Sequence, residues 1–171
     1  MTSCFKGKFK VTSPRGYRTL GGSKEYHGGM DLVAMGSDKS VYAIADGKVD
    51  AAPYEAGGFG YYVRQILPDG RRIYYGHMAK GSVCVKAGQT IKKGDKLGVM
   101  GSTGNSTGAH THIELRVKGT SKESLDISEF TGIPNKIGIY EAENVISPED
   151  AARYLQEKCG LSDGTLEYLR K

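Results

Sequence analysis

The stretch His110-Thr111-His112-Ile113-Glu114-Leu115-Arg116-Val117 puts His110, His112, Glu114 and Arg116 at one parity and Thr111, Ile113, Leu115 and Val117 at the other. Successive side chains of a strand leave on opposite faces, so this pattern predicts a strand with one face on the core. The other face then displays two imidazoles, a carboxylate and a guanidinium. Upstream, Gly101-Ser102-Thr103-Gly104-Asn105-Ser106-Thr107-Gly108 has the look of a phosphate loop, but it lacks the Gly-Lys-Ser/Thr ending and leads into a strand. It reads as a loop walling a groove.

Working outward, the 25 glycines punctuate short β-type segments. Residues 41–45, Asp46-Gly47 and residues 48–51 predict a hairpin. Residues 61–67, Pro68-Asp69-Gly70 and residues 72–75 predict a second. Further strands are expected at 83–85, 90–91 and 96–100. No ten-residue window before Glu141 carries a 3.6-residue period, so the body of the chain is expected to be mainly β and antiparallel. The pattern changes after Ile139. Ser147-Pro148-Glu149-Asp150 supplies a helix start, Cys159-Gly160 an end and Ser162 a second start, which predicts a short C-terminal helical hairpin. The expected organisation is a β domain over residues 1–138 and a helical appendage over 139–171.

At 171 residues the chain is long enough for one domain with a small appendage. Its longest apolar run, Val41-Tyr42-Ala43-Ile44-Ala45, is far below the roughly 20 residues of a membrane helix, so no membrane span is expected. The first ten residues alternate basic and apolar side chains and do not read as a signal peptide. The net charge of +5 favours anionic partners such as wall polymers. Because the cations are scattered, nucleic-acid binding is not expected. Cys4, Cys84 and Cys159 are odd in number and lack a C-x-x-C pair, so neither a disulfide framework nor a thiolate metal site is indicated.

The chain has four histidines, His27, His77, His110 and His112. The His110/His112 spacing suits a centre in which one imidazole ligates a metal and the other stands above the open coordination position; alone, such a pair also fits a solvated strand face. In His27-Gly28-Gly29-Met30-Asp31 an extended backbone brings His27 and Asp31 to one face, and the glycines let the backbone approach an ion. Taken alone, this spacing also fits a capped turn. His27, Asp31 and His112 together make a three-ligand N/O set suited to one catalytic Zn²⁺ per chain.

With Tyr75-Gly76-His77-Met78 and Ser106-Thr107-Gly108-Ala109-His110-Thr111-His112-Ile113-Glu114, these residues resemble, in order and spacing, the three motifs of the lysostaphin-like or LytM-type zinc endopeptidases. The resemblance runs from about Val11 to Phe130. It implies an antiparallel sheet, related to barrel-sandwich folds, with a narrow groove walled by loops. It further implies His27, Asp31 and His112 as metal ligands, His77 and His110 as the catalytic residues acting on water and scissile carbonyl, and hydrolysis of stem peptides or cross-links of bacterial peptidoglycan. A non-catalytic relative that binds wall or activates a hydrolase is the alternative; such relatives typically lose ligands, and this chain keeps them.

Residues 85–98 are similar to strands of lipoyl- and biotin-carrier domains, yet no lysine stands at a hairpin tip in Val99-Met100-Gly101-Ser102, so this is taken as shared β architecture. Glu114 reads either as a salt-bridge partner of Arg116 or as a support for the site. Without a recognisable signal peptide, the setting expected is a phage or prophage lysin, a tail-associated fragment, or a domain excised from a larger cell-wall hydrolase.

Overall fold

The computed structural model describes residues 1–118 and 122–143. In chain order the strands are β1 (Lys8–Ser13), β2 (Gly16–Leu20), β3 (Ser23–His27), β4 (Met30–Ala34), β5 (Ser40–Tyr42), β6 (Gly47–Ala51), β7 (Tyr54–Glu55), β8 (Gly60–Ile66), β9 (Arg72–Met78), β10 (Thr90–Ile91), β11 (Lys96–Val99), β12 (Thr111–Arg116), β13 (Ser124–Leu125) and β14 (Gly138–Glu141). One short helix, α1 (Ile127–Thr131), lies between the last two. The fold is mainly β and antiparallel, as the alternation predicts.

The main sheet runs β10-β6-β8-β9-β12-β4-β1-β14, with β13 and β7 added beside it. The alternating stretch lies in the middle of this sheet, β12 pairing with β9 on one side and β4 on the other. Ile113 stands opposite Met30 and Tyr75, and Leu115 opposite Ile73, so one parity of three adjacent strands forms a continuous apolar surface. Phe9, Val11, Leu32, Val41 and Leu97 complete the core against it. Each such side chain contributes about 1.5–3 kcal/mol by leaving water. The other parity places His112 opposite Asp31.

The expected hairpin over residues 41–51 does not form. β5 pairs with β11 in a separate two-stranded sheet, whereas β6 pairs with β8 and β10. The backbone between them finds other partners: Ala43 N–H donates to Asp95 O, Ile44 N–H to the Tyr75 hydroxyl, and Gln65 Nε2 to Ala45 O. These bonds carry the chain from one sheet to the other, and Asp46 accepts from Lys93 N–H instead of closing a two-residue turn. The hairpin at Pro68-Asp69-Gly70 forms as expected, with Gly70 N–H donating to Leu67 O and Asp69 accepting from Arg71 N–H. Residues 83–85 are not a strand, although Cys84 N–H donates to Leu97 O.

α1 is too short to register as a periodicity; its signals are the Asp126 cap, which accepts from Ser128 N–H, and the left-handed Gly132 at its end. β14 pairs with β1, and the Tyr140 ring lies 6.1 Å from that of buried Phe9, so the sheet extends past residue 138 and a division at 138/139 would cut this strand. The predicted helical hairpin lies outside the described residues. Cys4 and Cys84 are free thiols, the first buried and the second exposed.

Candidate metal centre

His27 ends β3 and Asp31 is the second residue of β4, so the two belong to different sheets and the bend at Gly28-Gly29 joins them. The glycines serve an approach other than the one expected. A Cβ on Gly29 would stand 2.1 Å from Ile113 O and 2.8 Å from His112 Nε2; one on Gly28 would stand 2.9 Å from Glu114 Oε1. The missing side chains let this loop lie directly on β12, which brings His27 and Asp31 to His112.

The three donor atoms converge. His27 Nε2 is 3.1 Å from Asp31 Oδ1 and 2.9 Å from His112 Nδ1, and His112 Nδ1 is 2.9 Å from Asp31 Oδ1. All three residues are buried. Three atoms at the corners of a near-equilateral triangle cannot all be joined by linear hydrogen bonds, whose angles must approach 150° or more. The outer ring nitrogens assign the tautomers. His27 Nδ1 lies 2.8 Å from Pro14 O and His112 Nε2 lies 3.1 Å from Glu114 Oε2, so each outer nitrogen carries a proton and donates it. Each inner nitrogen then presents a lone pair toward the carboxylate, and a cation at the centre satisfies all three. Two imidazoles and a carboxylate of this kind fit zinc, with outer partners of the type that orient metal-bound histidines.

The electrostatics agree. Burial by itself would raise the Asp31 carboxyl, but the hydrogen bonds and charges of His112 and His27 outweigh it and hold Asp31 well below the usual carboxylate range. Burial opposes charge on His112, yet Asp31 and Glu114 push its pKa up. Positive charge is therefore favoured in the triangle, whether as a proton or as a metal ion competing with it.

His77 and His110 flank this centre without joining the triangle. Plain alternation along β9 would send His77 to the core beside Tyr75. Instead, a bulge opposes Gly76 and His77 to Tyr62 alone, reversing the parity: Met78 is fully buried in the core and His77 faces the cleft. His77 has φ 61°, a conformation uncommon outside glycine, held by His77 N–H donating to Phe59 O at 2.7 Å and by Nδ1 at 2.8 Å from Thr103 O. The His110 Nδ1 is 2.8 Å from Gly108 O, and its Nε2 is 3.5 Å from Asp31 Oδ1. The two rings lie 4.6 Å apart, and each turns its Nε2 away from the carbonyl that its Nδ1 faces. Burial, with the neighbouring His110, lowers the His77 pKa to about 4, so its imidazole is neutral at pH 7.

A cleft of about 250 Å³ opens above these residues, with Asn105, Ser106 and Thr107 on one wall as the glycine-rich loop implies. Two contributors escape the motifs. Arg18 donates from Nη1 to Asp31 Oδ2 and from Nε to Glu25, tying the β2–β3 hairpin to Asp31; its only sequence signal is its place in Ser13-Pro14-Arg15-Gly16-Tyr17-Arg18. Phe59, 5.5 Å from the His112 ring, comes from a segment with no motif at all.

Comparison with known proteins bears on the same residues. The sequence profile of peptidase family M23 matches residues 25–124, a span containing all four histidines and Asp31. An uncharacterized metalloprotease of Haemophilus influenzae is 36% identical over 131 residues, 71% of this chain and 27% of its own length. Lysostaphin of Staphylococcus simulans is 35% identical over 106 residues, 61% of this chain and 21% of its length. Among solved structures, the catalytic domain of the prophage-encoded M23 protein EnpA from Enterococcus faecalis superposes with a TM-score of 0.62 at 30% identity, covering 73% of this chain and 93% of that one. The chain thus spans about a quarter of the curated relatives' length and nearly all of a solved catalytic domain. With that profile covering more than half of its residues, the chain belongs to peptidase family M23.

Proposed function

We propose that this chain is a zinc-dependent endopeptidase that hydrolyses cross-links or stem peptides of bacterial peptidoglycan, with His27, Asp31 and His112 holding one zinc ion and His77 and His110 acting on the substrate. The observation that carries this reading is the triangle of inward lone pairs, whose sides are 2.9–3.1 Å. The name of one relative supports the substrate class, a peptidoglycan DD-endopeptidase of Vibrio cholerae.

Zinc, when bound, supplies Lewis acidity to water and to an amide carbonyl. The chain supplies the proton chemistry. His77, neutral at pH 7, offers Nε2 to take a proton from attacking water and to return it to the departing amine. His110 stands beside Asp31 and, when protonated, donates a hydrogen bond to the oxygen that gains charge in the transition state. The glutamate of the third motif, Glu114, gives its two oxygens to His112 and Arg116, so imidazole performs this work. The cleft wall at 105–107 is built of small polar residues and suits a peptide of small side chains held by hydrogen bonds.

The test couples zinc content to the appearance of new amino groups in purified peptidoglycan, read by mass spectrometry of the released fragments. Alanine at His27, Asp31 or His112 is expected to remove metal and activity together. Alanine at His77 or His110 should leave one zinc per chain and lower turnover by about a hundred- to ten-thousandfold. New reducing sugar ends without new amino groups would refute the peptidase assignment. Loss of metal in His110→Ala as complete as in His112→Ala would refute the division of roles.

A further inference from the structure

We propose that Glu114 and Arg116 act as a positioning relay that holds the His112 imidazole in the tautomer and orientation presenting Nδ1 to the metal centre. The inference rests on the metal-centre reading above and deepens it. Alternation places His112, Glu114 and Arg116 in succession along the site face of β12. Glu114 divides its two oxygens between its neighbours: Oε2 lies 3.1 Å from His112 Nε2, and Oε1 accepts from Arg116 Nε at 2.6 Å. A surface ion pair would spend both oxygens on the guanidinium and would sit in water. Here the carboxylate side chain is 6% exposed and serves one ring and one cation.

Arg116 is itself held. Its guanidinium lies 4.4 Å from the Tyr74 ring centre and 5.3 Å from that of Phe59, two rings stacked on each other at 5.1 Å. An arginine otherwise free to turn is thereby fixed over an aromatic bed, and the carboxylate it grips is fixed with it. Gly28 closes the other side, packed so closely that a Cβ there would stand 2.9 Å from Glu114 Oε1. The loop bearing His27 and Asp31 therefore rests on the same carboxylate that orients the third ligand, so all three ligands depend on Glu114.

Glu114→Gln keeps the volume but not the pattern. If the amide oxygen accepts from His112, the amide nitrogen must face Arg116, donor against donor. Zinc affinity, read by competition with a chromophoric chelator, is expected to fall about ten- to a hundredfold. Adding Arg116→Met removes the facing donor and should restore most of that loss, which a purely space-filling role would not produce. Independently, histidine ¹⁵N spectra of the zinc-loaded wild type should show the His112 proton on Nε2 and none on Nδ1. Wild-type affinity in a folded Glu114→Gln, no recovery in the double variant, or a proton on Nδ1 would overturn the relay; should Glu114→Gln fail to fold, the wild-type spectra decide. His112→Ala separates the two readings: if it retains zinc affinity the metal centre itself is wrong, and if it loses zinc while Glu114→Gln does not, the relay alone fails.

Discussion

Replacing Gly29 by alanine adds a single methyl group, and the structure says where it lands. The new Cβ would lie 2.1 Å from Ile113 O, 2.9 Å from Ile113 C and 2.8 Å from His112 Nε2, whereas such contacts essentially never fall below 3.0 Å. The nearest obstacle is backbone in the middle of the main sheet, so it cannot rotate aside. To reach 3.0 Å, loop and strand must part by about 0.9 Å. The strain falls where Met30 pairs with Ile113 and Asp31 with His112. Overpacking of this kind costs about 1–3 kcal/mol. The candidate ligand atoms of His27, Asp31 and His112, now 2.9–3.1 Å apart, would also be displaced by nearly a third of their spacing. A misplacement near 1 Å costs on the order of a hundredfold in rate. Urea unfolding of the metal-free protein measures the first effect and turnover of the zinc-loaded protein the second, while chelator-competition zinc titration reports whether the metal site itself is loosened. Gly36→Ala is the control, because a Cβ there meets nothing within 4 Å, and its stability should stay within about 0.5 kcal/mol of wild type. Wild-type stability and zinc affinity in Gly29→Ala would refute the claim that this loop needs glycine to reach β12.

The low pKa of His77 sets a pH dependence. In the metal-free protein its ring resonances should titrate near pH 4, and a midpoint near the ordinary 6.5 would refute the burial argument. Between those values the folded chain binds fewer protons at His77 than the unfolded chain, so the contribution to stability rises with pH through this window and is lost as pH falls through it. Truncation tests the boundary of the β unit: we propose that a chain ending at Glu143 keeps the cooperative unfolding of the sheet, whereas one ending at Gly138 loses the β14 partner of β1 and the cover on Phe9. A Gly138 truncation as stable as the full chain would show that β14 adds nothing to the sheet.

Much of the fold was legible because β structure writes its period directly into the chain. The stretch from His110 to Val117 announced both its strand and the face on which His112 would stand, and the turn at Pro68-Asp69-Gly70 announced its hairpin, because both are local matters of side-chain parity and backbone preference. The candidate ligands were legible for a chemical reason: few residue types bind zinc, and the chain spends its histidines sparingly. Partner choice was not local. Residues 43–45 found hydrogen bonds with Asp95, Tyr75 and Gln65, which no turn signal records, so the expected hairpin at 41–51 gave way to a crossing between sheets. His77 reached the cleft through a bulge that reversed the parity of β9, a displacement set by its neighbours across the ladder. Arg18, Phe59 and the division of Glu114 between His112 and Arg116 likewise depended on chain segments brought together from afar. The sequence by itself determined which residues could ligate and which strands could form; the tertiary structure decided which strands met and which nitrogen of each histidine faced the centre, because both follow from contacts between residues distant along the chain.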